Sequence, residues 1–271
     1  MGPIIVATNF SKLADNAVGY AAAIASHFNV KLMLFNAFQI PLHASNTRFP
    51  AAYIDELIEI NRNKLKETAA SLESEYKISV DYECIYAQLE FKIDNLMEEL
   101  GASLLVIGMS GKSLEQNLLG NPTTTLISMK KFPVLAVPVS AKFKGMKKIL
   151  FSCDLMQAVP LKTLAKLKIL SSNLKSDVTV FYVDKLIDEL KLNTKTISNI
   201  DTQLEKVTYL YKNIESDTVI EEIEKEIKRS DSELLVMMPK AYGFWESLVH
   251  KSKTRVMASG LNIPLLSIPI K

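Results

Sequence analysis

The chain has 271 residues, of which 48% are hydrophobic and 23% charged, and its formal net charge at pH 7 is +2. This length is typical of two domains, and the apolar content excludes a disordered chain. The balance of acidic and basic residues argues against a nucleic-acid-binding protein, which needs clustered and uncompensated lysine and arginine. The densest basic segment, 142–148, falls between the two halves of the chain, and we interpret it as a solvated linker.

The sequence contains few signals of metal chemistry, secretion or membrane insertion. Its two cysteines, Cys84 and Cys153, lack the spacing of a zinc site and are too few for a disulfide framework, as expected of a reducing compartment. The three histidines have no carboxylate or second histidine at ligand spacing, so no metal site is predicted. No secretory signal is recognised, and no apolar run reaches the ~18 residues of a membrane-spanning helix. We therefore expect a cytoplasmic protein.

The first half of the chain alternates short apolar runs with amphipathic segments. Short apolar runs predict buried strands, whereas apolar positions three or four residues apart predict helices. Ser11 is expected to cap the first helix, and Gly101 to end the third. This order of elements predicts an open five-stranded parallel sheet flanked by helices, an α/β fold. The predicted strands cover 4–8, 30–35, 78–86, 104–107 and 134–137, and the helices cover 11–27, 52–76, 91–100 and a segment from 121.

The second half repeats this order of elements. The start of the chain, 4–10, matches 149–155, and the last strand with its flanking prolines, 132–138, matches 263–269. Two such pairs in the same order indicate a duplicated domain, with copies at 1–140 and 147–271. The strands predicted for the second copy cover 148–153, 178–183, 206–212, 233–238 and 263–268, and the helices cover 159–172, 185–203, 217–229 and 250–259.

The segment between the fourth and fifth predicted strands is the most distinctive part of the sequence. Gly108 and Gly111 follow the fourth strand, and Gly120 precedes a helix start at Asn121 and Pro122. Asparagine can cap a helix, and proline at its first position loses no hydrogen bond. Glycines placed here would let a phosphate approach the backbone at the positive end of a helix. The alternative is a tight strand-to-helix turn that needs glycine for structural reasons alone.

At these residues the chain resembles the universal stress protein family in its tandem two-domain form. Nucleotide-binding members of that family carry a glycine, two residues, a second glycine, nine residues, a third glycine and then serine or threonine. Here Gly108 and Gly111 match the first pair, eight residues precede Gly120, and Asn121 stands where serine or threonine is usual. The resemblance covers essentially the whole chain, twice. It implies two tandem Rossmann-like domains of the adenine nucleotide alpha hydrolase type.

The resemblance implies that the first half binds ATP or another adenine nucleotide, with Mg²⁺ if bound. The residues that end the strands would form the purine site, and the glycine segment would hold the phosphates. The implied purine site comprises Ala7, Thr8, Asn9, Ala37 and Ile107, and the implied phosphate site comprises Gly108, Ser110, Gly111, Gly120, Asn121 and Thr123. Asn9 replaces the aspartate that is usual in the family, which exchanges an acceptor for an amide that can also donate.

The second half departs further from the family pattern. Met238 and Ala241 take the places of the two glycines, and Lys251 and Ser252 take those of the later pair, although Asp154 is retained. A lysine can attract a phosphate as a point charge but cannot replace a glycine cradle. We therefore expect the second copy to be degenerate and not to bind ATP in the manner of the family.

No catalytic site is predicted. Ser110, Ser113 and 123–125 are interpreted as cap residues rather than nucleophiles, because no histidine lies near them in sequence. We expect a stress-response protein that acts by ligand binding and protein contact, with at most weak ATP hydrolysis. Two alternatives stay open: a slow ATPase or nucleotide-dependent switch that uses the first half, and a binder of a non-nucleotide small molecule.

The resemblance also implies how the two halves pair. Single-domain relatives dimerise along the last strand, so 134–137 and 265–268 are expected to meet as an intramolecular pseudo-dimer. Their apolar, proline-ended character suits a buried contact. A homodimer of two chains stays open, and neither nucleic acid nor membrane is expected as a partner.

Overall fold

The computed structural model describes residues 1–40, 51–109, 122–156, 159–184, 192–238 and 261–269. Within these ranges the chain forms ten strands and seven helices. It divides into two compact units. The first comprises 1–109 and 134–142, and the second comprises 110–133 and 143–271. The helix predicted at 250–259 lies outside the described residues, and the predicted pairing of the last strands stays a prediction.

The first unit is a five-stranded parallel sheet in the order β3-β2-β1-β4-β5. Its helices connect consecutive strands, as predicted from the alternation of the sequence. Its elements are β1 (Ile4–Ala7), α1 (Lys12–Phe28), β2 (Leu32–Phe38), α2 (Ala51–Tyr76), β3 (Val80–Tyr86), α3 (Leu89–Glu99), β4 (Leu104–Met109) and β5 (Val134–Pro138).

The second unit contains a parallel sheet of the same internal order, β8-β7-β6-β9-β10. Two five-stranded parallel sheets flanked by helices were predicted, and this α/β fold is confirmed. The elements are α4 (Pro122–Met129), β6 (Lys148–Ser152), α5 (Leu161–Leu174), β7 (Asp177–Asp184), α6 (Thr194–Leu204), β8 (Tyr209–Glu215), α7 (Val219–Ser230), β9 (Leu234–Met237) and β10 (Leu265–Ser267).

The central strands and the edge strands differ in burial. All residues of β1 and of β9 are buried, as is typical of the central strands of a parallel sheet. By contrast, β8 alternates between partly buried and exposed residues. This strand begins at Tyr209 rather than at the predicted 206, because Val207 lies in the turn that follows α6, where its N–H donates to the Leu204 carbonyl at 2.8 Å. Val207 is buried without belonging to a strand.

The two predicted helix signals in the first unit are confirmed. The Ser11 hydroxyl accepts a hydrogen bond from the Ala14 N–H at 3.3 Å, which caps α1. Gly101 follows the end of α3 with a φ of +57°, a left-handed conformation that favours glycine. These signals set where α1 begins and where α3 gives way to β4.

Gly108 is required by the packing of α1 against β4. A Cβ atom at this position would lie 2.7 Å from Leu13 Cγ and 3.0 Å from the Leu13 carbonyl oxygen. The Leu13 carbonyl belongs to the backbone of α1 and cannot rotate away. Glycine therefore allows the first turn of α1 to approach the carboxyl end of β4.

Replacing Gly108 with alanine is expected to lower the free energy of unfolding by about 1–3 kcal/mol, because the added methyl group overpacks the contact with α1. The matched control is Gly19→Ala. A Cβ atom at Gly19 meets nothing within 4 Å, and alanine favours the helix by up to about 1 kcal/mol. Urea unfolding followed by far-UV circular dichroism measures both variants. Equal midpoints for Gly108→Ala and wild type would contradict this role.

A buried ion pair joins β8 to α7 in the second unit. Lys212 Nζ donates to Glu226 Oε2, and the Glu226 side chain is only 7% exposed. Lys212→Met leaves this carboxylate buried without its partner and is expected to cost about 3–5 kcal/mol. Lys225→Met is the matched control, since Lys225 pairs with Glu222 at the surface, and its urea midpoint should hardly move. Equal losses in the two variants would show that the pair is not buried in solution.

Candidate functional site

The carboxyl ends of β1, β2 and β4 form one edge of the first sheet. Ala7, the last residue of β1, pairs with Phe35, and Ala37 lies two residues further along β2. Ile107 continues β4 beyond Val106, which pairs with Val6. The strand order reverses between β1 and β4, and ligands of open parallel sheets bind at such reversals. The described residues of the predicted purine site therefore lie at one edge of one sheet.

Two side-chain turns fix the backbone that leaves β1. Thr8 Oγ1 accepts a hydrogen bond from the Phe10 N–H at 3.1 Å, and Asn9 Oδ1 accepts one from the Ser11 N–H at 3.2 Å. Phe10 has a φ of 59°, in the left-handed region. The loop is thus ordered by its own side chains before α1 begins.

The same backbone is held from β2 by a buried amide that the sequence analysis missed. Asn36 is 2% exposed, and its Nδ2 donates to the Thr8 carbonyl at 2.7 Å. Its Oδ1 accepts from the Cys84 thiol at 3.3 Å. Burial raises the pKa of the Cys84 thiol, which keeps it protonated as a donor. The sequence contained one signal of this role, which is an asparagine inside an otherwise apolar strand.

The outward polarity of Asn9 follows from its hydrogen bond. Because the Ser11 N–H is a donor, the atom of Asn9 that faces it must be the oxygen. The amide nitrogen, Nδ2, therefore points away from the turn, and within the described residues it donates to no protein acceptor. Asn9 is exposed. A ligand at this edge would meet an N–H donor where an aspartate would present only acceptors.

The structure describes only two residues of the predicted phosphate site, Gly108 and Thr123. Gly108 lies in β4 and pairs with Val137. The close approach of Leu13 explains why this position has no side chain. Thr123 is buried in the first turn of α4. Ser110, Gly111, Gly120 and Asn121 lie outside the described residues. The assignment of these residues to a phosphate stays a prediction.

The corresponding edge of the second unit contains a cavity of about 130 Å³. It lies at the carboxyl ends of β6 and β7, and Val219 at the start of α7 also lines it. By register, Ser152 ends β6 as Ala7 ends β1, and Val183 stands where β2 has Ala37. The sequence analysis did not predict a site here. The lining residues are Ser152, Cys153, Asp154, Tyr182, Val183, Asp184 and Val219.

Hydrogen bonds fix the polar side chains of this cavity. Asp154 Oδ1 accepts from the Met156 N–H at 2.9 Å, the same local turn that Asn9 makes in the first unit. The Tyr182 hydroxyl donates to Asp184 Oδ2 at 2.8 Å. Burial and then this hydrogen bond raise the pKa of the Tyr182 phenol, so it stays protonated and donates at neutral pH. The cavity therefore carries two carboxyl groups in defined positions.

The described residues contain no group of three or more histidine, cysteine, aspartate or glutamate side chains placed to hold a metal ion. Within the same ranges, no helix combines the length and the apolar character that a bilayer crossing requires. Cys84 and Cys153 form no disulfide.

Known proteins share this fold. A universal stress protein from Archaeoglobus fulgidus DSM 4304 is 15% identical, with a TM-score of 0.75 over 99% of this chain and 96% of that one. A functionally unknown protein from Pseudomonas aeruginosa PAO1 is 14% identical, with a TM-score of 0.56 over 99% and 92%. The cytoplasmic domain of a prokaryotic cation chloride cotransporter is 10% identical, with a TM-score of 0.54 over 98% and 94%.

The TM-scores establish the fold, and the Rossmann-like, adenine nucleotide alpha hydrolase-like architecture is confirmed by the neighbour from Archaeoglobus. No curated protein matches the sequence. A model of the universal stress protein family matches residues 1–138, a segment that includes the turn at Thr8 and Asn9 and the whole glycine segment. Because this match spans half of the chain and falls on the residues that carry the resemblance, the chain belongs to the universal stress protein family.

Proposed function

We propose that the protein acts in the cytoplasmic stress response by binding an adenine nucleotide at the carboxyl edge of the first unit, and that it works through protein contacts rather than turnover. The observation that carries the proposal is the ordered turn at Thr8 and Asn9, which lies where the strand order of the sheet reverses. Membership of the family supports the choice of ligand. The unbridged thiols Cys84 and Cys153 support a reducing compartment.

The side chains at this edge suit a flat, partly apolar ring. Ala7 and Ala37 are small, so the backbones of β1 and β2 can be approached closely, and the buried Ile107 makes the neighbouring part of β4 apolar. Binding pockets for such ligands combine apolar walls with a few placed polar groups. Asn9 supplies one of these groups, and its outward N–H suits a purine ring nitrogen, which is an acceptor.

Little reorganisation of the turn at Thr8 and Asn9 is needed for the purine side of this site to accept a ligand. The turn is already closed by Thr8 and Asn9, and Asn36 holds the Thr8 carbonyl from within the core. A rigid site loses less conformational entropy when it binds than a mobile one. The ends of the strands would therefore already have the geometry that the bound nucleotide requires.

Thermal unfolding with ATP, ADP and AMP tests the proposal. At a hundredfold excess over the dissociation constant, a bound nucleotide should add about 2.7 kcal/mol to the stability of the protein. Phosphate release from the same samples tests the alternative of a slow ATPase, and native mass spectrometry of protein purified without added ligand tests that of a non-nucleotide ligand. The proposal fails if none of the three nucleotides raises the melting temperature.

Asn9→Ala is expected to weaken ATP binding about five- to tenfold, the loss of one hydrogen bond. Asn95→Ala is the matched control, since Asn95 is an exposed asparagine on α3, and its ATP affinity should equal that of wild type. Isothermal titration calorimetry measures both, and circular dichroism establishes that Asn9→Ala is folded. Equal ATP affinities for the two variants would remove Asn9 from the site.

A further inference from the structure

Helix α2 is longer than the sheet of the first unit. Its 26 residues span about 39 Å, whereas the seven residues of β2 span about 23 Å. Residues 77–79 alone separate α2 from β3, so the end of the helix is held at the amino edge of the sheet. The excess length, about 16 Å, therefore extends beyond the carboxyl edge, where β1 and β2 end.

Two contacts with α1 show which part of α2 extends. The Ser26 hydroxyl, near the end of α1, donates to the Tyr76 carbonyl at 2.9 Å. Lys64 Nζ lies 5.4 Å from the centre of the Phe10 ring, just before α1 begins. The two helices therefore run side by side from Lys64 to Tyr76. The half of α2 that precedes Lys64, residues 51–63, lies beyond the start of α1, and we call it the projecting half.

The burial of side chains changes at the same point of the helix. Leu65 and Leu72, in the second half of α2, are buried, whereas none of the described side chains of 52–64 is buried. Tyr53 is 40% exposed and Ile60 is 43% exposed. Exposed apolar residues that are grouped rather than scattered mark binding surfaces. The projecting half therefore presents an apolar surface beside the carboxyl edge of the sheet.

Helical spacing places these apolar residues in line with Lys64. Positions three or four residues apart share one face of a helix. The residues that this spacing places on the face of Lys64 are Tyr53, Leu57 and Ile60, and we call the four residues the α2 stripe. Because Lys64 contacts the residue that follows Asn9, the stripe begins beside the turn proposed to bind the purine and continues outward from it.

Lys64 is the charged member of the α2 stripe. Its side chain is exposed, and within the described part of the chain its ammonium contacts the Phe10 ring and no carboxylate. The acidic residues of the projecting half fall on other faces of the helix, where Glu59 pairs with Arg62. An aromatic ring orients an ammonium group without neutralising its charge. The stripe is therefore apolar with one positive end, and lysine binds phosphate as a point charge.

We propose that the α2 stripe forms one wall of the nucleotide site of the first unit, with Leu57 and Ile60 covering the purine ring and Lys64 attracting the phosphates. This inference rests on the nucleotide site proposed above and adds contacts that neither the strand ends nor the glycine segment supply. Apolar walls with a few placed polar groups are typical of such sites. The charge of Lys64 makes affinity depend on the number of phosphates.

Isothermal titration calorimetry of the full chain with adenosine, AMP and ATP, at constant low ionic strength, tests the role of Lys64. Lys64→Met should weaken ATP binding about two- to fivefold, the effect of one exposed ion pair. It should weaken AMP binding less and leave adenosine binding unchanged. Lys66→Met is the matched control, because Lys66 is an exposed lysine of α2 outside the stripe. Its affinities for all three ligands should equal those of wild type.

Ile60→Gln tests the apolar wall in the same titrations. It should weaken the binding of adenosine and ATP alike, by about fourfold for each methylene group that the purine ring covers. Ile169→Gln is the matched control, since Ile169 is a 53% exposed isoleucine on α5, and it should bind both ligands as wild type does. Circular dichroism establishes that the variants are folded.

The results separate this inference from the proposed function. The inference is overturned, and the nucleotide site stands, if wild type binds ATP but Lys64→Met and Lys66→Met bind it equally. It is also overturned if Lys64→Met weakens adenosine binding as much as ATP binding, or if Ile60→Gln binds both ligands as Ile169→Gln does. A wild-type protein that binds none of the three ligands would overturn the inference and the proposed function together.

Discussion

The reversal of strand order at the first strand of each sheet determines where this protein can bind ligands. The connection that follows β1 leads to β2 on one side of β1, whereas β4 lies on its other side. The second unit repeats this order around β6. Because the two flanking connections diverge at that point, the carboxyl ends of the central strands are left uncovered by a crossover. The side chains that follow β1 and β6 therefore decide the chemistry of each unit.

The two units use the same backbone turn for opposite chemistry. Asn9 and Asp154 each accept a hydrogen bond from the N–H two residues further on, so the local geometry is the same. The amide of Asn9 contains an N–H donor, whereas the carboxylate of Asp154 contains acceptors only. In the neighbouring strand, Ala37 is followed by Phe38, but Val183 is followed by Asp184. The two units thus share the order of their strands but differ in the side chains at the carboxyl ends of those strands.

Much of the fold could be predicted from the sequence, because the central strands are buried on both faces and therefore appear as continuous apolar runs. The cap at Ser11 and the left-handed Gly101 could also be predicted, since both depend on local chemistry. The start of β8 was misplaced because an edge strand alternates weakly and the buried Val207 belongs to a turn. Local signals do not distinguish such a turn residue from a strand residue.

The site was harder to predict, because its chemistry depends on contacts between distant segments. Gly108 suggested a phosphate cradle, but its contact with Leu13 is a helix-packing requirement that spacing alone cannot reveal. Asn36 and Asp184 were visible only as polar residues in apolar strands, and their roles depend on Thr8 and Tyr182. The cavity of the second unit could not be predicted, since Tyr182 and Asp184 come close to Asp154 only when β6 and β7 pair in the folded chain.

The central claim is that the first unit, and not the second, holds the nucleotide. Photolabelling of the full chain with 8-azido-ATP, followed by peptide mass spectrometry, tests it most directly. The account predicts labelled peptides that contain 7–9, 37 or 107, with labelling abolished by excess ATP. Labelled peptides from 152–154 or 182–184 that ATP protects would contradict it.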